Sequence, residues 1–347
     1  MLNGMEAVAA PPTVDLSVSL GPITLQNPLM TASGTCGYGL EYAPYMDLNR
    51  LGAFTTKSIT LQERLGNPPP RVIETASGML NAIGLANVGI DRFLAEKVPE
   101  LRSLRIPVFV NVAGHSPDEY IAVCRRLDEL PEISGIELNV SCPNVADGLT
   151  FGTDARRLHD LVAAVRRVLR RCLLVVKLSP NVTDITATAR AAVEAGADAL
   201  SLINTFVGMA IDIERWRPKL ANVTGGLSGP AVKPLALHLV SRVYREVARP
   251  AGVPLIGMGG VETWQDAVEF LLAGATAIAL GTSLFVEPDA PIRIVKALPA
   301  YLARHNLGSV RDLIGRLDIA PTPQPAVAVG SPGCGKAGAE SRGNLTK

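Results

Sequence analysis

Along most of the chain, short apolar runs alternate with segments in which apolar positions recur every three or four residues. The short runs are Pro28–Ser33, Ala53–Ile59, Pro107–Ala113, Gly135–Val140, Leu173–Leu178, Ala199–Asn204, Pro254–Met258 and Ala277–Gly281. Several are almost continuously apolar, as expected of parallel strands covered on both faces. The segments between them read as amphipathic helices. Leu158, Leu161, Val162, Val165, Val168 and Leu169 share one helical face, while Arg156, Arg157, Arg166, Arg167, Arg170 and Arg171 fall elsewhere. That basic cluster reads as a solvated helix face rather than a docking patch. Ser116-Pro117-Asp118-Glu119 has the capping serine, first-turn proline and following glutamate of a helix start. Thr183 before Asp184, and Thr263 with Asp266, mark two more. Eight strand–helix alternations predict an α/β fold of the (β/α)8 TIM-barrel type. An open doubly wound sheet is the alternative, but no G-x-G-x-x-G follows the first strand, which disfavours a dinucleotide-binding version.

The flanks break this rhythm. Leu16–Leu25 alternates around a Gly21-Pro22 turn, which predicts a β-hairpin closing the barrel bottom. Residues 1–14 read as a flexible N-terminus, 15–316 as the barrel, and 317–347 as a disordered tail rich in Pro, Gly and Ala. Within that tail, Gly330–Ala337 has the spacing of a nucleotide P-loop. However, Ala337 stands where a magnesium-binding hydroxyl belongs and no helical pattern follows, so the match is assigned to chance.

Composition narrows the classes of function. Hydrophobic residues make up 48%, enough for a large core. Aromatics at 4% and a net charge of +1 offer no stacking platform or electrostatic footprint for nucleic acid or an anionic membrane. Phe270–Val286 lacks charges but is interrupted by Gly274 and Gly281, so it reads as a helix end, a turn and a buried strand rather than a membrane span. The five cysteines (Cys36, Cys124, Cys142, Cys172 and Cys334) are widely spaced with no C-x-x-C. Neither a disulfide framework nor a metal or iron–sulfur site within this chain is expected, and a reducing cytoplasm is the expected compartment. Met1–Val14 lacks the pattern of a secretory signal.

In a barrel, chemistry gathers at the C-terminal ends of the strands. Those ends carry Ser33-Gly34, Lys57-Ser58, Asn111, Asn139 through Asn144, Lys177, Asn204-Thr205, Gly259-Gly260 and Gly281-Thr282. Buried amides and lysines in such number are costly unless a polar ligand satisfies them. The glycine turns after the last two strands suit an anion, at the usual phosphate position of a barrel. Lys57 and Lys177 admit Schiff-base chemistry, as in an aldolase, stabilisation of a growing negative charge, or structural salt bridging. Cys142, on a loop past the fourth strand and followed by Pro143, is a candidate base. Cys36 competes for that role. His159, His238 and His305 do not sit at strand ends, and His115 is the weakest candidate acid or base.

Taken together, these residues resemble class I dihydroorotate dehydrogenases, over about residues 15 to 315. The resemblance rests on Asn27-Pro28 with Ala32-Ser33-Gly34, Thr56-Lys57-Ser58, Asn81-Ala82-Ile83-Gly84-Leu85, Asn139-Val140-Ser141-Cys142-Pro143-Asn144 and the paired glycine turns. It implies FMN as cofactor, held by Ser33, Lys57, Ser58, Asn111, Asn139, Lys177, Ile203, Gly229, Gly259, Gly260, Gly281 and Thr282. It implies dihydroorotate held by Lys57, Asn81, Ala82, Ile83, Gly84, Leu85, Asn139, Asn204 and Thr205, with Cys142 as the general base. Membrane-linked class II enzymes look similar but use serine there. The segment Cys142–Gly152 is most like the NAD-linked two-subunit form, class 1B. That form implies a homodimer core bound to a partner subunit carrying FAD and a 2Fe–2S cluster, a heterotetramer. The fumarate-linked single-chain form, class 1A, another FMN-dependent pyrimidine dehydrogenase, and a colourless aldolase are the alternatives.

Overall fold

The computed structural model describes residues 14–140 and 150–319. Eight parallel strands form one sheet: Leu29–Thr31, Phe54–Thr55, Val108–Val112, Gly135–Asn139, Leu173–Lys177, Ala199–Leu202, Leu255–Met258 and Ala277–Leu280. Every strand pairs with its neighbour in the sequence, the last pairs with the first, and a parallel bridge from Met30 to Ala53 closes the ring between the first and second. This is the (β/α)8 barrel that the alternation predicts, and all eight apolar runs contain its strands. The observed strands are shorter than the runs, so Lys57 and Ser58 lie beyond the second strand rather than on it.

The outer helices form where the pattern places them. Ala155–Arg166 buries Leu158, Leu161, Val162 and Val165, each side chain giving about 1.5–3 kcal/mol on leaving water. The helix stops at Arg166, so Val168 and Leu169 lie beyond its end. Arg156, Arg157, Arg167, Arg170 and Arg171 are exposed, and Arg166 pairs with Asp198 at 2.8 Å. Ser116 accepts from the Glu119 N–H at the start of Pro117–Asp128, and Thr263 forms a reciprocal capping box with Asp266 before Trp264–Ala273. At the helix Ile185–Glu194 the cap is Asp184, whose carboxylate accepts from the Thr186 N–H, and not Thr183. The carboxylate is the stronger acceptor for the unpaired N–H groups of a first turn.

The predicted N-terminal hairpin pairs Val18–Leu20 with Ile23–Leu25. Its turn residue Gly21 packs against Leu173, the first residue of the fifth strand, so it covers the N-terminal end of the barrel. A second sheet does not follow from the sequence pattern. Val72–Thr75, Gly78–Asn81, Phe206–Met209 and Thr224–Ser228 join as four antiparallel strands. They come from insertions after the second and sixth barrel strands. Their central pairing sets Asn81 opposite Gly226 and Met79 opposite Ser228.

The chain divides into Met1–Leu317 and Asp318–Lys347, and only Asp318 and Ile319 of the second unit are described. The P-loop-like Gly330–Ala337, the 1–14 segment up to residue 13, and most of the predicted tail lie outside the described residues. No helix among the described residues is long and apolar enough to cross a membrane.

Candidate active site

Inside the C-terminal half of the barrel the side chains turn polar. Asn111, Glu137, Lys177 and Ser201 come from the third, fourth, fifth and sixth strands, and all are buried. Each lies in a strand that is otherwise apolar apart from Asn139 at the end of the fourth, and period-two geometry turns these four into the barrel rather than toward the helices. They form one network. Ser58 Oγ donates to Asn111 Oδ1 at 2.5 Å, and Asn111 Nδ2 donates to Glu137 Oε1 at 2.7 Å. Ser201 Oγ donates to Glu137 Oε2 at 2.8 Å. Lys177 Nζ donates to Ser33 Oγ at 3.0 Å and lies 3.7 Å from Glu137 Oε1. Glu137 is the residue that reading the sequence missed. Its signal was a lone carboxylate inside the apolar run Ile136-Glu137-Leu138.

Above this layer opens a cleft of about 270 Å³. Of the sequence-predicted site residues, Ser33, Lys57, Ser58, Asn139, Lys177, Ile203, Gly229, Gly259, Gly260, Gly281 and Thr282 line it, as do Asn81, Ile83, Gly84, Leu85, Asn204 and Thr205. Two do not. Asn111 lies underneath, fully buried, holding Ser58 and Glu137, and Ala82 is fully buried behind its loop. Val72, Met79 and Ser228 of the second sheet, with Met258 and Ala279 of the barrel, are among the other residues of its walls. Cys142 lies outside the described residues.

The two ends of the cleft differ. At one end Asn204 Nδ2 donates to Asn139 Oδ1 at 3.2 Å, and the Tyr120 hydroxyl fixes the Asn139 carbonyl at 2.8 Å. Lys57 lines the same cleft. Burial, and then the nearby Arg71 guanidinium, hold its ammonium below the ordinary lysine range, while Glu41 pulls the other way. The loop Asn81–Leu85 is fastened to residues 64–71 by backbone bonds from Asn67 to Ile83 (3.0 Å), from Ala82 to Arg71 (2.7 Å) and between Arg64 and Asn87. This end therefore presents amides and one cation on a rigid frame, suited to a flat polar ring with a carboxylate.

At the other end the seventh-strand turn meets the start of the helix Lys233–Val243. Gly260 has φ +76°, and a Cβ there would lie 2.8 Å from the Gly229 carbonyl oxygen, so only glycine fits. Thr282 Oγ1 donates to Ser228 Oγ at 2.8 Å, tying the eighth-strand turn to the second sheet. Gly281 is different: a methyl group would meet only Ala32 at 3.5 Å and Thr35 at 3.7 Å. The protein's own packing leaves room there, which suits a bound group lying against the turn. Backbone N–H groups and hydroxyls at this end match a phosphate.

Among the described residues, the cysteines Cys36, Cys124 and Cys172 are buried and none lines the cleft. Burial pushes the Cys36 and Cys172 thiols up to about 12, and the Cys124 thiol up as well. His115 is exposed and bonds to Arg64, away from the cleft lining.

Fold and site together define a (β/α)8 barrel with a cleft at the C-terminal ends of its strands, lined by glycine turns, amides and two lysines. The family model for dihydroorotate dehydrogenase matches residues 15–302. The chain is 52% identical over 305 residues to the "Dihydroorotate dehydrogenase B (NAD(+)), catalytic subunit" of Pelobacter propionicus, covering 88% of this chain and 99% of that one. It is 53% identical over 304 residues to the protein of the same name in Trichlorobacter lovleyi, covering 87% and 98%. The crystal structure of DHODH from Eimeria tenella in complex with ferulenol superposes with a TM-score of 0.74 at 24% identity, over 89% of this chain and 90% of that one. This chain belongs to the dihydroorotate dehydrogenase family. That membership overturns the aldolase alternative. It fits the geometry, in which Lys177 is engaged by Ser33 and Glu137.

Proposed function

We propose that this chain oxidises dihydroorotate to orotate in pyrimidine biosynthesis, with FMN in the cleft, as the catalytic subunit of an NAD-linked enzyme. The observation that carries the reading is the cleft's two-ended chemistry in a chain about half identical, over nearly their full length, to relatives named for that activity. The same name favours the NAD-linked form over the fumarate-linked one.

The residues fit FMN. The Gly259-Gly260 turn, Gly229, Gly281 and Thr282 would take its phosphate. Ile203 and Met258 offer apolar surface to a ring, while Ser33, Lys57, Ser58, Asn139 and Lys177 supply polar contacts to its edges. Asn111 would act through Ser58. When bound, FMN supplies an acceptor for the hydride that leaves C6 of dihydroorotate. The protein's residues do the rest. Lys57 faces the substrate carboxylate, and Asn81, Asn139, Asn204 and Thr205 hold the ring amides in one plane. The backbone of Ala82, Ile83, Gly84 and Leu85 closes over that ring. Cys142 Sγ takes the C5 proton, so a C5–C6 double bond forms as proton and hydride leave. A partner subunit carrying FAD and a 2Fe–2S cluster, on a homodimer core, would supply the onward route for the electrons.

An anaerobic visible spectrum of the purified chain, before and after adding dihydroorotate, tests this. A yellow protein that bleaches supports both cofactor and substrate. A yellow protein that stays yellow points to another pyrimidine, and one that cannot take up FMN refutes the reading.

A further inference from the structure

Glu137 is a buried carboxylate to which the reaction above gives no part. It sits mid-strand, 3% exposed, with Asn111 on one oxygen, Ser201 on the other and Lys177 at 3.7 Å. A charge in a barrel interior is costly even when paired, and apolar packing would serve stability as well. The pair is also asymmetric. Asn111 and Ser201 hold the carboxylate below the cleft, whereas Lys177 reaches past it to Ser33, on the cleft wall. The cation therefore faces the cleft with a compensating anion behind it.

We propose that Glu137 is a positioning residue that limits how much of the Lys177 charge acts on the cofactor. This rests on the FMN reading proposed above. FMN gains negative charge on reduction, and a bare ammonium beside it would stabilise the reduced form strongly. With Glu137 in place the pair carries no net charge and offers only a dipole pointed at the cleft. Glu137 thus holds the flavin potential down, so that electrons are passed on rather than retained.

The test is an anaerobic redox titration of the FMN-loaded chain against a reference dye. Glu137→Gln should favour the reduced over the oxidised flavin tenfold relative to wild type, a rise of about 30 mV for a two-electron couple. Glu137→Asp, with its carboxylate drawn back by one methylene, should give a smaller rise, and it carries the test if the glutamine variant does not fold. A potential that stays put or falls in the folded variants, even with a lowered melting temperature, would show Glu137 to be structural only and overturn the proposal. A wild-type chain that holds no FMN, or is not bleached by dihydroorotate, would instead overturn the reading beneath it.

Discussion

Replacing Lys177 by methionine should destabilise the fold mainly through the partner it abandons. Lys177 and Glu137 are 7% and 5% exposed at their side chains and 3.7 Å apart. At an effective dielectric of about 20, that separation corresponds to an attraction of about 4 kcal/mol. Asn111 and Ser201 continue to donate to the carboxylate in the variant, so about half of that, roughly 2 kcal/mol, is expected as coupling between the two residues. Lys177→Met, which leaves a buried charge uncompensated, should lower the melting temperature by roughly 4–8 °C. Adding Glu137→Gln should recover about half of the loss. The assay is thermal unfolding of the flavin-free chains, followed by near-ultraviolet circular dichroism, so that cofactor binding does not enter. Raising the salt concentration should leave the coupling nearly unchanged, because a buried pair is poorly screened. A double variant as unstable as the sum of the two single ones would refute the reasoning.

Cys142→Ala should retain FMN but slow its reduction by dihydroorotate about 100-fold or more, read by stopped-flow absorbance; a rate like that of wild type would remove Cys142 as the base. Lys57 loses its proton at a lower pH than the ordinary 10.5, because it is buried and stands near Arg71. Orotate affinity should therefore fall as pH rises through that lowered value, and Lys57→Gln should flatten the fall. Over the same range the unfolded chain binds more protons than the folded one, so this residue's contribution to stability rises with pH. Gly274→Ala places a Cβ 2.1 Å from Tyr244 Cγ at a backbone φ of +113°. It should cost about 3 kcal/mol in urea unfolding, with little effect on the cleft at the opposite end of the barrel.

The barrel was legible because its strands are buried on both faces. Val108–Val112 and Leu173–Lys177 are short apolar runs that no amphipathic helix could contain, and capping residues such as Thr263 and Ser116 mark the helices between. The second sheet was not legible. Val72–Thr75 and Phe206–Met209 each have two of four residues exposed and none buried, and Gly78, Gly208, Gly225 and Gly226 dilute any apolar signal. Its central pair joins residues 145 apart, Asn81 and Gly226. Local sequence holds no record of such a pairing.

The site divides in the same way. Residue types and their places at strand ends were determined by the sequence itself: lysines, amides and glycine turns at the C-terminal rim of a barrel already say what chemistry the rim can hold. Tertiary structure alone decided which of them share a layer. Barrel curvature and strand register bring Asn111, Glu137, Lys177 and Ser201 from four strands within hydrogen-bonding or ion-pairing distance. The same geometry puts Asn111 under the cleft instead of on its wall, and lays the second sheet across the cleft. Distances between strands are fixed by packing and register, which no single segment of the chain encodes.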